Sequence, residues 1–340
     1  MKSRAICVST IIIALAAGGL LSQSALGGQI TAWGDNTYSQ CSVPKGGDYT
    51  AVAGGRYHSL ALRVDGTVVA WGNNTYGQCN VPEGNNFVAV AGGGYHSLAL
   101  HADGSLAAWG WNKDGQCNVP AGNDFVAIAA GGCNSIALKS DGSLIAWGSN
   151  TYGQCKVPTG KDFVAIECGF WHCRAFRANG SAVVWGWNES PQSVPPSTDF
   201  ASITCGEFHA LALKLDGSLA AWGSNIYQQC DVPSGSNFVA IAAGGYHSLA
   251  LKSDESRETS GIAKYQQFEL PGGSDLVAIA RGVYHGVSYI GEPMVLMLLG
   301  AAAVVLWGRW QRKASTEPVN SLNNSRTPAQ SNRNARQIAP

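Results

Sequence analysis

Seven near-copies of one phrase of about 38 residues fill most of this 340-residue chain, and a repeat of that length admits few architectures. The clearest copy runs from Phe125 to Pro158, FVAIAAGGCNSIALKSDGSLIAWGSNTYGQCKVP. Its tryptophan recurs at Trp33, Trp71, Trp109, Trp147, Trp185 and Trp222, at spacings of 38, 38, 38, 38 and 37. Such a period signals a solenoid, a propeller or an array, in which each unit buries its apolar face against its neighbours.

Each unit carries three strand signals. The first reads Phe-Val-Ala-Ile-Ala, as at Phe125–Ala129; the second alternates, as in His96-Ser97-Leu98-Ala99-Leu100; the third is short and ends in Ala-Trp-Gly. Alternation with period two is the pattern of a strand with two unlike faces. A Gly-Gly turn joins the first two strands. Asp65-Gly66, Asp103-Gly104, Asp141-Gly142, Asn179-Gly180 and Asp216-Gly217 join the second to the third, and such dipeptides accept the positive φ of a tight hairpin.

First strands are expected to begin near Tyr49, Phe87, Phe125, Phe163, Phe200, Phe238 and Leu276. The last unit, Leu276–Tyr289, lacks a third strand, while Ile30–Trp33 is a third strand with no unit of its own. Pairing the two removes exposed sheet edges. The expectation is an all-β, seven-bladed propeller over residues 28–290, closed by its N-terminal strand. The alternative is an open superhelix, which would need caps at its ends.

The phrase Gly-Gly-x-Tyr-His-Ser-Leu-Ala-Leu, at His58, His96 and His247, followed by Asp-Gly and Ala-Trp-Gly, resembles the regulator of chromosome condensation repeat. The short repeat is similar to that of β-lactamase inhibitor protein II, a secreted bacterial propeller of the same superfamily. The resemblance implies a propeller that engages proteins through aromatic loops on one face. It does not carry over nucleotide exchange. Net charge is zero and charged residues are 13%, about half the usual ~25%, so the basic face that nucleic acid requires is missing.

The ends read differently. Lys2 and Arg4, the apolar run Ala5–Leu21 and the small residues Ala25-Leu26-Gly27 make residues 1–27 a secretory signal. A second apolar run, Met294–Gly308, is followed by Arg309, Arg312 and Lys313, with Trp307 and Trp310 at its edge. Aromatics and cations at the border of an apolar run direct it to a membrane, although it is shorter than the ~20 residues of an ordinary span. With Glu292-Pro293 before it, segment 291–313 resembles a PEP-CTERM sorting signal, except that Gly291 replaces a proline and a polar tail follows. That tail, residues 314–340, has the composition of a disordered segment.

His58, His96, His172, His209, His247 and His285 recur once per unit, with Asn134 in the remaining place. A metal needs ligands converging on one point, so these are read as structural, bonding neighbouring backbone. The recurring tryptophans are read as packing between blades. Cys41, Cys79, Cys117, Cys155 and Cys230 share one position and read as buried apolar residues. Cys168 and Cys205 share another, at the end of the innermost strand, and a Cys168–Cys205 disulfide is expected; Cys133 and Cys173 are a further possible pair.

Strand direction puts the Gly-Gly-x-Tyr-His and Trp-Gly-x-Asn-x-Tyr loops on one face. Trp111 and Trp187 stand there where other units have Asp35, Asn73, Ser149 and Ser224, and Phe170-Trp171 replaces Gly-Tyr. With Tyr95, Phe208 and Tyr246 they are the candidate partner-binding residues, since exposed aromatics anchor interfaces. No nucleophile elbow, metal spacing or phosphate loop appears, and no cofactor is expected. Glu167 and Glu207 are the best candidates for a hidden acid pair. In the last complete unit Arg257-Glu258-Thr259-Ser260 replaces the apolar third strand, and a loose outer edge is expected. These signs point to an exported, non-enzymatic scaffold at the cell surface that binds an extracytoplasmic protein, held to the membrane through 294–308; a surface glycan is the alternative ligand.

Overall fold

The computed structural model describes residues 29–179, 181–187, 200–254, 256–261, 276–281 and 285–290. Every element in them is a strand. The first strand, β1 (Gln29–Gly34), pairs at a distance in sequence. Then come β2 (Tyr49–Gly54), β3 (His58–Arg63) and β4 (Val68–Gly72); β5 (Phe87–Gly92), β6 (His96–His101) and β7 (Leu106–Gly110); and β8 (Phe125–Ala130), β9 (Asn134–Lys139) and β10 (Leu144–Gly148). The series continues with β11 (Phe163–Cys168), β12 (His172–Arg177) and β13 (Ala182–Gly186); β14 (Phe200–Cys205), β15 (His209–Lys214) and β16 (Leu219–Gly223); β17 (Phe238–Ala243), β18 (His247–Lys252) and β19 (Arg257–Gly261); and β20 (Leu276–Arg281) and β21 (His285–Ile290).

These strands make seven antiparallel three-stranded sheets among the described residues, six of consecutive strands and one in the order β1-β21-β20. In that seventh sheet Trp33 lies opposite Gly286 and Gln29 opposite Ile290. Each first strand lies beside the first strand of the next sheet, and β20 lies beside both β17 and β2. First strands are therefore innermost and third strands outermost.

In the six sheets of consecutive strands the middle strand is the most buried, because neighbouring strands cover both its edges and neighbouring sheets both its faces. Leu60, Leu98, Ile136 and Leu211 are wholly buried, each contributing roughly 2 kcal/mol in transfer free energy. The hairpins form as the Asp-Gly spelling requires. Asp65 Oδ1 accepts from the Thr67 amide at 2.9 Å and its hydroxyl at 2.6 Å, and Gly66 takes φ +79°. Those bonds hold the Asp65 carboxyl below its ordinary range. The same bonds recur at Asp103, Asp141, Asp216 and Asp254.

One expectation of the edge fails. Arg257–Gly261 pairs with β18 in full register, so no loose edge exists there. Polar residues hold this strand because Lys252 bridges Glu258 at 2.6 Å, and Ser260, in the place of a tryptophan, donates to the Gln229 carbonyl at 3.3 Å. Residues 1–28, 291–313 and 314–340 lie outside the described residues, and with them the expected signal, membrane segment and tail. Among the described residues no helix is long and apolar enough to cross a membrane.

Candidate functional site

The repeating polar residues make a clasp between sheets. His58 Nε2 lies 3.0 Å from Ser97 Oγ of the next sheet, His96 Nε2 3.0 Å from Ser135 Oγ, and His209 Nε2 2.9 Å from Ser248 Oγ. Each serine donates in turn to a glutamine carbonyl: Ser97 to Gln78, Ser135 to Gln116 and Ser248 to Gln229, all at 2.9 Å. Trp71, Trp109, Trp147 and Trp185 donate Nε1 to the corresponding carbonyls of Gln40, Gln78, Gln116 and Gln154. The histidines thus bond a neighbouring serine rather than backbone, and the tryptophans bond as well as pack. Burial pushes His58 down to about 4; burial and the charge of His58 push His96 down to about 3. Among the described residues no His, Cys, Asp and Glu group converges as a metal site would.

The loop cysteines are half-buried rather than buried, and each donates its thiol to a carbonyl, as Cys41 does to Asp35 at 3.2 Å and Cys79 to Asn73 at 3.3 Å. Burial, then the Asp35 charge, raises the Cys41 thiol to about 12; burial alone takes Cys79 to about 11. Such thiols are poor nucleophiles.

The disulfide is not the expected one. Cys168 is joined to Cys173, with Cα atoms 4.1 Å apart, and neither Cys205 nor Cys133 is in a disulfide. Cys168 and Cys173 are register partners across the β11–β12 hairpin, whereas Cys205 is the register partner of Ala210 in its own hairpin. Asn134 Nδ2 approaches Cys173 Sγ at 3.3 Å, so Asn-Cys replaces the His-Ser clasp at this boundary.

Glu167 and Glu207 do different things. Glu167 Oε2 pairs with Arg174 at 3.1 Å while its Oε1 accepts from the Cys205 amide at 2.9 Å. Arg174 is fully buried, standing where other middle strands have Leu60, Leu98 and Ile136. Glu167 is thereby a cross-sheet tie. Glu207 is 4% exposed and lines a central cleft between the ends of the first strands, along with Arg56 and Phe170.

The loop face is aromatic. Tyr38 packs on Tyr57 at 5.1 Å, Tyr76 on Tyr95 at 5.5 Å and Tyr227 on Tyr246 at 5.2 Å, a pair repeated between units. Trp111 joins the set, stacked with Tyr76 at 5.6 Å and edge-on to Tyr95 at 5.7 Å. Trp187, Phe208 and Tyr246 run on at 5.6 Å each. Tyr152 packs on Trp171 at 5.2 Å. Trp111, Trp171, Trp187, Tyr95, Phe208 and Tyr246 are half-buried, while Tyr38, Tyr76, Tyr152 and Tyr227 are the exposed tips. Phe170 differs from the expected anchor: it is 7% exposed, and a Cβ on Gly132 would lie 2.7 Å from its ring. It forms the wall of the cleft.

Asp114 and Cys133 stand where other units have the pairs Tyr38–Tyr57, Tyr76–Tyr95, Tyr152–Trp171 and Tyr227–Tyr246, so the belt is polar at that point. Sequence reading also passed over Arg56, whose guanidinium lies 5.1 Å from Phe170, 5.3 Å from Tyr57 and 5.9 Å from Tyr95. The signal for Arg56 was available, because Gly94 and Gly132 occupy the same turn position.

Residues 49–78, 87–116, 125–154 and 200–229 match the regulator of chromosome condensation (RCC1) repeat. The chain carries RCC1 repeats. No curated protein matches the sequence. Among solved structures, Prp20p of Saccharomyces cerevisiae is similar at 18% identity and TM-score 0.66, covering 85% of this chain and 96% of that one. Yeast RCC1 (Prp20) bound to Kap60 is similar at 17% and 0.66, covering 91% and 100%. The ectodomain of the receptor kinase CR4 of Physcomitrella patens is similar at 24% and 0.58, covering 67% and 65%. At these identities the likeness is one of fold, and the RCC1-repeat chain is a β-propeller.

Proposed function

We propose that this chain is an exported, non-enzymatic propeller that binds a protein partner through its aromatic loop face. Seven blades close into one ring through β1, and residues 294–308 hold the protein at the cell surface. The observation that carries the reading is the asymmetry of the face. Trp111, Trp171 and Trp187 are departures that the repeat does not require, and half-buried aromatics on a rigid scaffold are the common anchors of interfaces. The solved yeast relative was studied for its binding to Gsp1p and histones, which supports protein binding in general for this fold. The Cys168–Cys173 bond suits an oxidising compartment and supports export.

The test uses full-length protein beside a Trp171→Ala, Trp187→Ala variant, both offered surface and secreted extract of the source organism. A protein held by the parent and lost from the variant by at least 2 kcal/mol, roughly 30-fold, upholds the reading. Equal capture by both forms overturns it. A second reading, glycan binding, rests on the Tyr38–Tyr57, Tyr76–Tyr95 and Tyr227–Tyr246 pairs, whose equivalence suits several weak sites. Retention of glycans alone would favour it.

A further inference from the structure

The chain enters and leaves its strands through one face. Ile290, the last residue of β21, is the register partner of both Gln29, the first residue of β1, and Leu276, the first residue of β20. In the other sheets the same pairing joins Phe87 to His101 and Phe125 to Lys139, at the end that carries the Asp-Gly turns. So β21 ends on the face opposite the aromatic loops.

Gly291, Glu292 and Pro293 alone separate Ile290 from the apolar run that begins at Met294. Even fully extended, that link reaches at most about 14 Å from Ile290 to Met294. The aromatic loops lie beyond the far end of β21, and a strand of its length spans about 17–20 Å. With the aromatic face turned to the membrane, Ile290 would stand at least a strand length from the lipid, farther than the link can reach.

The opposite face suits lipid headgroups. Val64, Val88, Val126 and Leu215 lie on it, each at least 40% exposed, and they come from four different units around the ring. Lys45, Lys161 and Lys214 add long apolar stems with charged tips. Asp65, Asp103, Asp141, Asp216 and Asp254 offset the cations, so charge alone would not gather a free propeller to a membrane. A short tether supplies the missing term, because it holds the face near the lipid at an effective concentration of about millimolar.

We propose that the propeller lies with its Asp-Gly face against the lipid surface and its aromatic face turned to the medium. This orientation rests on residues 294–308 holding the chain to a membrane, as proposed above, and it leaves the partner-binding side open.

The test uses the full-length protein in phosphatidylcholine vesicles with an energy acceptor on the outer headgroups. A donor dye is attached through an azide-bearing residue in place of Lys45 or Lys161, on the Asp-Gly face, or of Lys113, on the aromatic face; all three are exposed. Flotation of the vesicles reports attachment. Because about a strand length separates the two faces, transfer should be at least about twofold faster from Lys45 and Lys161 than from Lys113. Equal transfer from all three, or faster transfer from Lys113, in protein that floats would overturn the orientation and leave the membrane reading standing. Fast transfer from Lys45 alone would mark a propeller on its edge and also overturn it. Protein that does not float overturns both.

Discussion

His58 donates its Nε2 proton to Ser97 across the boundary between two sheets, 3.0 Å away. The direction follows from counting protons. Ser97 has one, and it goes to the Gln78 carbonyl at 2.9 Å, which has none to give. The serine must therefore accept from the imidazole Nε2–H, and burial, which lowers His58 to about 4, keeps that ring neutral with a bare Nδ1. The same logic sets His96 against Ser135 and Gln116.

Ser97→Ala should strand the buried Nε2–H of His58 and remove one donor from Gln78. The expected loss is about 1–3 kcal/mol, the cost of an unsatisfied buried group. Ser97→Cys should cost less, because a thiol is still a weak acceptor for the His58 Nε2–H and a weak donor to the Gln78 carbonyl. Chemical denaturation of the two variants checks the order; equal losses would show that the clasp contributes only its shape.

The clasp also makes stability depend on pH. Burial holds His58 near 4 and His96 near 3, below the ~6.5 of an unfolded histidine. Between those values the unfolded chain binds protons that the folded chain does not, so stability rises with pH. It is fully present above about 6.5 and is lost as pH falls toward 4, at up to ~1.4 kcal/mol per pH unit for each such histidine. Thermal melts from pH 7.5 to 4.5 should show this slope, and His96→Asn, borrowing the residue found at Asn134, should reduce it. A flat profile would exclude the neutral clasp.

Gly93 tests how closely the ring is packed. A Cβ there would lie 2.2 Å from His96 Cε1 and 2.9 Å from the Gly131 carbonyl oxygen. Gly93→Ala should destabilise by about 1–3 kcal/mol through overpacking. Gly77→Ala is a control of another kind. Its φ of +79° strains any side chain, but only the Asn80 amide lies near. Gln228 adopts φ 64° at the same position of its own unit, so the smaller loss is expected at Gly77.

The strands were legible because they rest on local pattern. All seven expected first-strand starts, from Tyr49 to Leu276, coincide with strand starts in the structure. The Asp-Gly turns were legible because one dipeptide decides them. The clasp was not, although Ser59, Ser97, Ser135 and Ser248 repeat as regularly as the histidines, because its two halves belong to different units. Arg174 and Glu167 were missed as a pair for a different reason, since both belong to one hairpin. They meet only once the hairpin register sets them opposite each other.

That register also decides the disulfide. In each described hairpin the last residue of the first strand faces the residue after the histidine position, as Gly54 faces Ser59 and Gly92 faces Ser97. Cys168 faces Cys173 by the same rule, whereas Cys205 faces Ala210. Trypsin cuts after Lys161 and Arg174, which leaves both bonded cysteines in one peptide, Asp162–Arg174. Unreduced, alkylated digests should show that peptide two hydrogens lighter and unalkylated, with the Cys205 peptide alkylated after unfolding. A peptide pair joined through Cys205 would instead restore the bond between neighbouring blades. The native thiols Cys41 and Cys79, held near 12 and 11 by burial, should alkylate slowly at pH 8 until the chain unfolds.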